Sequence, residues 1–490
     1  MDRSKDVFMY DLIVIGGGPA GVTAAMRARE LGADVALVER SRMGGTCTND
    51  GCAPTRVLAR AARLIREIEQ FEDFGLTSVE PSIQWPALMA HTQKTIYRLH
   101  EKKQLIGHLE QAGVQVFTGT GEASFMNANT IQLQDGSVLE ADKFILCVGG
   151  HGRRLAFPGS EHTLTHSDVW QLRRLPKSAV IVGGAATGCQ LATIFNAFGV
   201  QVTLLERGPS LLSIEDDTLS KFLTNSFKRR GIQITTGIGD IQGIVKTDNA
   251  LDFQYLYGDQ SITIETEAVL MAVGWIGNLE SLHLENAGVR TERGYIVVND
   301  YLQSSQEHIF AAGDVTGRMM LVQSASYDAR IAAENAILGI GQPYRHQIVP
   351  HGGFTNPEYA SVGLTEKQAR LQEPDCISVV VPYTDLDRDV IDDHTEGFCK
   401  LIVSQENHRI LGVHIAGENA LEITQMVAAG MASDMWIEQL AELEIAYPTY
   451  TAILGLAARQ IIHRLGVLPM SPEWHSLGNL VPAEWERTDE

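Results

Sequence analysis

The stretch YDLIVIGGGPAGVTAAMRARELGADVALVER constrains this chain more than any other, because it spells out one supersecondary unit with its punctuation in place. The apolar run LIVI reads as a buried strand. Gly16, Gly18 and Gly21 then form G-x-G-x-x-G where the strand gives way to a helix, and a second strand ends at Glu39. The first glycine permits the tight turn, the second lets backbone approach a pyrophosphate, and the third lets the helix pack on the strand. The helix N-terminus faces the negative charge. Glu39, about 20 residues on, is placed to accept hydrogen bonds from a ribose. The unit predicts a dinucleotide site.

The same plan recurs in SAVIVGGAATGCQLATIFNAFGVQVTLLERGPSLL, with Gly183 and Gly188 in the turn and Glu206 ending the next strand. Ala185 stands where the middle glycine belongs and sets a methyl group against the expected path of the pyrophosphate. A Rossmann unit that no longer binds nucleotide is the competing expectation. Glu206 would repel a 2'-phosphate and so favours NADH over NADPH, although the neighbouring Arg207 weakens that preference. Two dinucleotide units in one chain point to a flavin and a nicotinamide facing each other. HIFAAGDVTG supports this, since a strand ends there at Gly313 and Asp314, a carboxylate poised to bond the polyol of a cofactor. ANTIQLQDGSVLEADKFILCVGG alternates like a small antiparallel sheet with an Asp-Gly turn. From about residue 346 the texture becomes strands followed by helices without a glycine fingerprint, as in an α+β domain. The last stretch holds Trp474 and Trp485 and is expected to clamp a partner subunit.

A chain of 490 residues exceeds one hydrophobic core and predicts about two to four domains. Apolar residues at 44% and charged residues at 20% suit a globular enzyme. The formal charge of -21 excludes a phosphate-binding face for nucleic acid. No apolar run approaches the roughly 18 residues of a membrane span, and no signal peptide is visible, so a cytoplasmic protein is expected. Four of the six cysteines, Cys147, Cys189, Cys376 and Cys399, sit singly in apolar contexts where buried thiols are expected. Cys47 and Cys52 differ. They lie five positions apart in GGTCTNDGCAPTR, and a close pair in a cytosolic chain is usually catalytic or redox-sensing. No second CxxC or histidine pair accompanies them, so no metal site is expected.

Taken together, the first glycine turn, GGTCTNDGC, FAAGD, FTNPEYASVGLTE and ILGVHIAG resemble the two-cysteine flavoprotein disulfide reductases, the class I pyridine nucleotide-disulfide oxidoreductases. The likeness runs almost end to end. It implies an α/β fold with two Rossmann-like domains and a C-terminal α+β dimerisation domain. The implied boundaries are 1–150 for the first part of an FAD domain, 151–280 for the NAD(P) domain, 281–345 for a return to FAD and 346–490 for the dimerisation domain. FAD and NADH, with NADPH the alternative nucleotide, are the implied cofactors, and a homodimer the implied assembly. Cys52 would lie against the flavin as a thiolate, and Cys47 would be the interchange thiol that meets a small electron acceptor. Thr46, Arg56, Gln190 and Gly274 join the cofactor-binding set on the same ground.

The chain also departs from the pattern. Where these enzymes carry His-Pro-Thr-x-x-Glu, whose His/Glu dyad serves the partner's thiols, this chain reads AYPTYTA, with Tyr447 for the histidine and Ala452 for the glutamate. Such acid-base help is worth about 10² to 10⁴ in rate. A tyrosine leans toward the mercuric-reductase-like branch, yet no cysteine pair follows Cys399 as that branch requires. A lysine after the second cysteine, paired in many relatives with a glutamate, is replaced by Thr55 and Arg56 with Gln190 opposite; Ala186 and Trp275 likewise depart from the nicotinamide pocket. The expected activity is therefore electron transfer from NAD(P)H through FAD and Cys47/Cys52 to a disulfide, metal ion or other small acceptor. Alternatives are a quinone or oxygen diaphorase with an idle disulfide, and a flavoprotein sensor.

Overall fold

In β1, Phe8–Ile15, the side chains of Leu12, Ile13 and Val14 are wholly buried on both faces. A central strand of a covered parallel sheet offers such an environment. The computed structural model, which describes residues 8–77, 81–346 and 348–467, places β1 there. It pairs in parallel with β2, Val35–Glu39, on one side and with Val138–Leu146 on the other. Gln115–Thr118 extends the sheet beyond β2, and Ile309–Ala311 adds a parallel strand beside Val138–Leu146. Thr130–Leu133 and Ala123–Asn127 complete seven strands as the expected antiparallel meander, its Asp-Gly turn closed by Gly136 at φ +91°.

Helix α1, Pro19–Glu30, packs against helix Val322–Leu338. Ala20, Ala24 and Ala28 on the first, with Ala325, Ala329 and Ala332 on the second, are buried, and small residues let the two axes approach closely. A Cβ built on Gly313 would meet the methyls of Ala20 and Ala325 at 3.3 and 3.2 Å, so the turn before Asp314 sits where the two helices begin.

The second glycine turn lies in a five-stranded parallel sheet ordered Gln233–Thr236, Gln201–Glu206, Ser178–Val182, Ala268–Met271, Thr163–Leu164. Both sheets belong to one compact unit, formed by residues up to Pro209 and by Gly231–His346.

A second compact unit joins Ser210–Arg230 to the chain beyond residue 346. Its antiparallel sheet runs His351–Gly353, Tyr359–Gly363, Ile410–Ala416, Phe398–Val403, Ile377–Pro382, with helices Ala420–Ala432 and Ala452–Leu465 contributing to its apolar core. Helix Asp217–Arg229 is held to this sheet by buried charge: Lys400 Nζ reaches Asp216 at 2.7 Å and donates to Thr218 at 3.0 Å. The stretch with Trp474 and Trp485, expected to clamp a partner, lies outside the described residues. Among the described residues no helix is long and apolar enough to cross a membrane.

Candidate active site

The first glycine turn has the geometry its spacing predicts. Gly16 holds φ +109°, and a Cβ on it would lie 2.3 Å from the Cys147 carbonyl oxygen. A Cβ on Gly21 would lie 1.7 Å from the Gly16 carbonyl oxygen, so the third glycine lets α1 press against the turn itself. Gly18, the N-cap of α1, has φ -75°, which any residue adopts; its lack of a side chain serves approach rather than conformation. Glu39 is buried at the end of β2, accepting the Gly17 N–H at 2.6 Å and the Ser41 N–H at 2.7 Å.

The second turn repeats these features. Gly183 holds φ +111°, and a Cβ on Gly188 would lie 1.8 Å from the Gly183 carbonyl oxygen. Glu206 accepts the Gly184 N–H at 2.6 Å and the Gly208 N–H at 2.5 Å. Ala185, at φ -82° and ψ -174°, adopts the backbone of Gly18 without strain. Arg207 is exposed and lies 3.6 Å from Asp240.

The cysteine loop is built against the first turn. Gly44 and Gly45, at φ +92° and +57°, open the short helix α2, Gly45–Asn49, and a Cβ on Gly45 would lie 2.9 Å from Gly18 Cα. Backbone therefore rests on backbone, and α2 carries Cys47 to the edge of the dinucleotide turn. The Thr46 carbonyl accepts the N–H groups of Asp50 and Gly51, at 3.0 and 2.7 Å, which turns the chain so that Cys52 opens α3, Cys52–Glu67. The intervening residues are clamped from outside. Ser167 donates to the Asp50 carboxylate and Trp170 to its carbonyl, each at 2.7 Å.

The Cys47 and Cys52 thiols are unbridged and lie within hydrogen-bonding reach of each other, Cys47 half-buried and Cys52 exposed. The hydrogen bond from Cys52 pulls the Cys47 thiol down to about 7; burial and Asp314 oppose this, and Lys103 assists it. Donating that bond pushes Cys52 up. Asp314 faces both sulfurs, and burial lifts its own carboxyl to about 6. Burial raises Cys147, Cys189, Cys376 and Cys399 above the ordinary thiol value, as expected of inert buried thiols.

Two partners of the loop carry no sequence motif. Lys103, the last residue of α4, Trp85–Lys103, donates through Nζ to Thr48 Oγ1 at 2.9 Å, and His100 Nε2 lies 2.9 Å from Asn49 Oδ1. Both stand about fifty positions from Cys47. Their one visible signal is a basic last turn, which a helix C-terminus favours for its own reasons.

The remaining expected residues are spread wider. Arg56 lines a largely apolar cavity of about 510 Å³ between α3 and α4, with Val57, Arg60, Leu64, Leu88 and His91. Gln190 donates to the Ala186 carbonyl at 3.0 Å within its own helix, and Arg66 of α3 donates to Asn196 of that helix at 2.8 Å. Gly274, at φ +97°, precedes Trp275, whose ring packs at a tilt against His166, centroids 4.6 Å apart. Tyr447 belongs to the second unit, is 75% exposed, and donates to Asp387 Oδ2 at 2.7 Å, a bond that raises its pKa.

Residues 10–329 match the family described as pyridine nucleotide-disulphide oxidoreductase, and residues 349–458 match its dimerisation domain. The chain belongs to the pyridine nucleotide-disulphide oxidoreductase family. It is 31% identical to a dihydrolipoyl dehydrogenase of Zymomonas mobilis over 90% of this chain and 95% of that protein. It is 32% identical to a mercuric reductase of Lysinibacillus sphaericus over 92% of this chain and 82% of that protein. Among solved structures, the HOCl-induced flavoprotein disulfide reductase RclA of Escherichia coli superposes with a TM-score of 0.81 at 26% identity, covering 92% of this chain and 99% of that one; its Cu(II) complex matches equally.

The family's members are oxidoreductases that use FAD and NAD(P)H. The residues here fit both groups. The Gly16–Gly21 turn leaves a cradle free of side chains at the start of α1, with Glu39 and the half-buried Asp314 as acceptors for hydroxyl groups. The Gly183–Gly188 turn offers the same cradle, narrowed by one methyl at Ala185.

Proposed function

We propose that this oxidoreductase works as a cytoplasmic homodimer that takes electrons from NADH, or from NADPH, and delivers them through Cys47 and Cys52 to a thiophilic metal ion, with Cu(II) the first candidate, rather than to a dithiol. The observation that carries the reading is the cysteine pair: two thiols in contact at the start of α3, one of them acidic near neutrality. Bound FAD supplies the two-electron relay between nicotinamide and sulfur. The chain's own residues do the rest. Cys47 offers a thiolate to the acceptor, Cys52 supplies the second sulfur, and Ser167 and Trp170 hold the loop between them.

The departures at the C-terminal motif support an acceptor of this kind. Reducing a disulfide substrate releases a thiolate that must be protonated, and Tyr447, with its proton held on Asp387, is a weak acid with no carboxylate at Ala452 behind it. Reducing a metal ion releases no thiolate. Two thiols and two Cu(II) ions become one disulfide, two Cu(I) ions and two protons, and solvent takes up the protons. The Cu(II) complex of the structurally similar RclA adds support.

The test is NADH oxidation with chelator-buffered Cu(II), lipoamide, glutathione disulfide and a quinone in parallel. Cu(II) turnover is expected to exceed that with either disulfide and to fall at least about 100-fold in Cys47→Ser, the scale on which losing a nucleophile is felt. Undiminished turnover in that variant would sink the proposal. The apolar cavity beside α3 favours one second reading, direct reduction of a flat apolar acceptor; quinone turnover untouched by thiol alkylation would establish it.

A further inference from the structure

We infer that Lys103 is a positioning residue for the interchange thiol: anchored on Thr48, its ammonium supports the Cys47 thiolate from within the same subunit, where relatives of the usual pattern enlist a His/Glu dyad. The inference rests on the reading of Cys47 as the thiol that meets the acceptor.

Three observations carry it. First, the anchor is buried. Thr48 is 1% exposed, and its hydroxyl, one residue from Cys47, accepts the ammonium of the exposed Lys103 at 2.9 Å. Second, the approach is fixed from both sides. Asn49 donates through Nδ2 to the carbonyls of Gly45 and Met43, at 2.9 and 3.1 Å, which leaves Oδ1 as the acceptor for His100. His100 Nε2 therefore carries the proton, and the last turn of α4 is pinned to α2 through two adjacent residues, Thr48 and Asn49. A lysine on a free stem spends conformational entropy to reach a partner; one held at the end of a pinned helix loses less on forming the contact. Third, the replacement leaves a role unfilled, because Tyr447 and Ala452 cannot supply a base.

The groups that face Cys47 divide by sign. Cys52 donates to it and Lys103 draws it toward the thiolate, while Asp314 pushes the other way. Burial first, and then Lys103 and Arg42, lower the His100 pKa, so His100 adds no charge of its own at neutral pH. Lys103 is then the cation that offsets Asp314.

The experiment uses the reduced holoenzyme and follows alkylation of Cys47 by peptide mass spectrometry as a function of pH, with neutral iodoacetamide and anionic iodoacetate. In Lys103→Met the rate midpoint is expected to rise and the rate at pH 6.5 to fall about 3- to 10-fold. The iodoacetate-to-iodoacetamide ratio is expected to drop as well, which loss of a merely structural contact would not cause. Lys103→Arg should restore both. Thr48→Val, which keeps the charge and removes the anchor, should fall between and decides the matter if Lys103→Met fails to fold. Profiles that overlay the wild type in Lys103→Met or, failing that, in Thr48→Val overturn the inference. The parent reading fails separately, through turnover in Cys47→Ser, whatever the Lys103 profiles show.

Discussion

The two glycine turns of this protein have nearly the same backbone, and the one methyl that distinguishes their middle glycine positions separates what a backbone needs from what a ligand needs. Gly16 and Gly183 hold φ +109° and +111°; Cβ atoms on Gly21 and Gly188 would meet the carbonyl oxygens behind them at 1.7 and 1.8 Å. Each terminal glutamate accepts a turn N–H at 2.6 Å. The first and third glycines are thus demanded by the chain itself, in both places. The middle position is not. Gly18 and Ala185 share an extended backbone that any residue adopts, so alanine there costs the fold nothing and its effect is confined to whatever approaches the turn. A degraded motif can therefore leave the architecture intact.

The comparison breaks most readily at the third glycine. Gly21→Ala and Gly188→Ala each drive a methyl into a backbone oxygen that cannot rotate away, and overpacking of that kind costs about 1–3 kcal/mol or more. Because the two turns lie in different sheets, the losses should be separable. Gly21→Ala is expected to purify without flavin. Gly188→Ala should keep its flavin yet lose reduction by NADH, read as persistence of the flavin absorbance band under anaerobic titration. Normal reduction in Gly188→Ala would mean that the second turn holds no nucleotide, and the likeness of the two turns would be architectural only.

That likeness was largely legible in the sequence because its causes are local. A positive φ and a helix pressed on a turn require glycine at fixed spacing, and a strand buried on both faces requires an unbroken apolar run. Cys47 and Cys52 were legible for the same reason, as were the four inert cysteines in their apolar settings. Lys103 and His100 were not. They reach the cysteine loop because α4 ends there, and nothing in HEKKQ distinguishes a lysine that caps its own helix from one that touches Thr48. The polar core of the second unit was hidden likewise: Glu215, Ser361 and His414 meet within hydrogen-bonding distance although up to about two hundred residues separate them along the chain. Long-range placement of a single polar residue leaves no periodicity to read.

A smaller effect sharpens the contrast through pH. The first site includes Asp314, whose carboxyl burial lifts to about 6; among the expected cofactor-binding residues the second site has only Glu206 as an acid. In the unfolded chain such a group titrates near 3.9, so the folded protein without cofactor binds the extra proton between about pH 4 and 6 and gains relative stability as pH falls through that window. A carboxylate that accepts a hydroxyl from the cofactor prefers to be ionised, so cofactor binding must release that proton. FAD affinity should then rise with pH up to about 6 and level off, changing by at most tenfold per pH unit, and Asp314→Asn should flatten the profile. Nucleotide binding at the second turn should lack this limb. Fluorescence titration of apoprotein with FAD at pH 5 and pH 7 checks it; equal affinities would place Asp314 out of reach of the cofactor.

The smallest expected change is the most direct test of the middle position. Ala185→Gly restores the middle glycine without altering the backbone, since φ -82° and ψ -174° suit both residues. Two effects then oppose each other. Glycine frees the unfolded chain and lowers stability by about 0.5–1 kcal/mol, whereas removing the methyl opens the path along which a pyrophosphate meets the helix N-terminus. The first acts on the melting temperature alone, because it concerns the unfolded state. The second acts on NADH binding alone, because the folded turn is unchanged. The variant should therefore melt slightly lower while its dissociation constant for NADH tightens, by about 3- to 10-fold if relieving the methyl contact is worth on the order of 1 kcal/mol. Tighter binding would show that Ala185 sets nucleotide affinity from inside an intact turn. An unchanged dissociation constant with the same drop in melting temperature would show that the nucleotide passes clear of the methyl, and the second turn would then equal the first in function as well as in backbone.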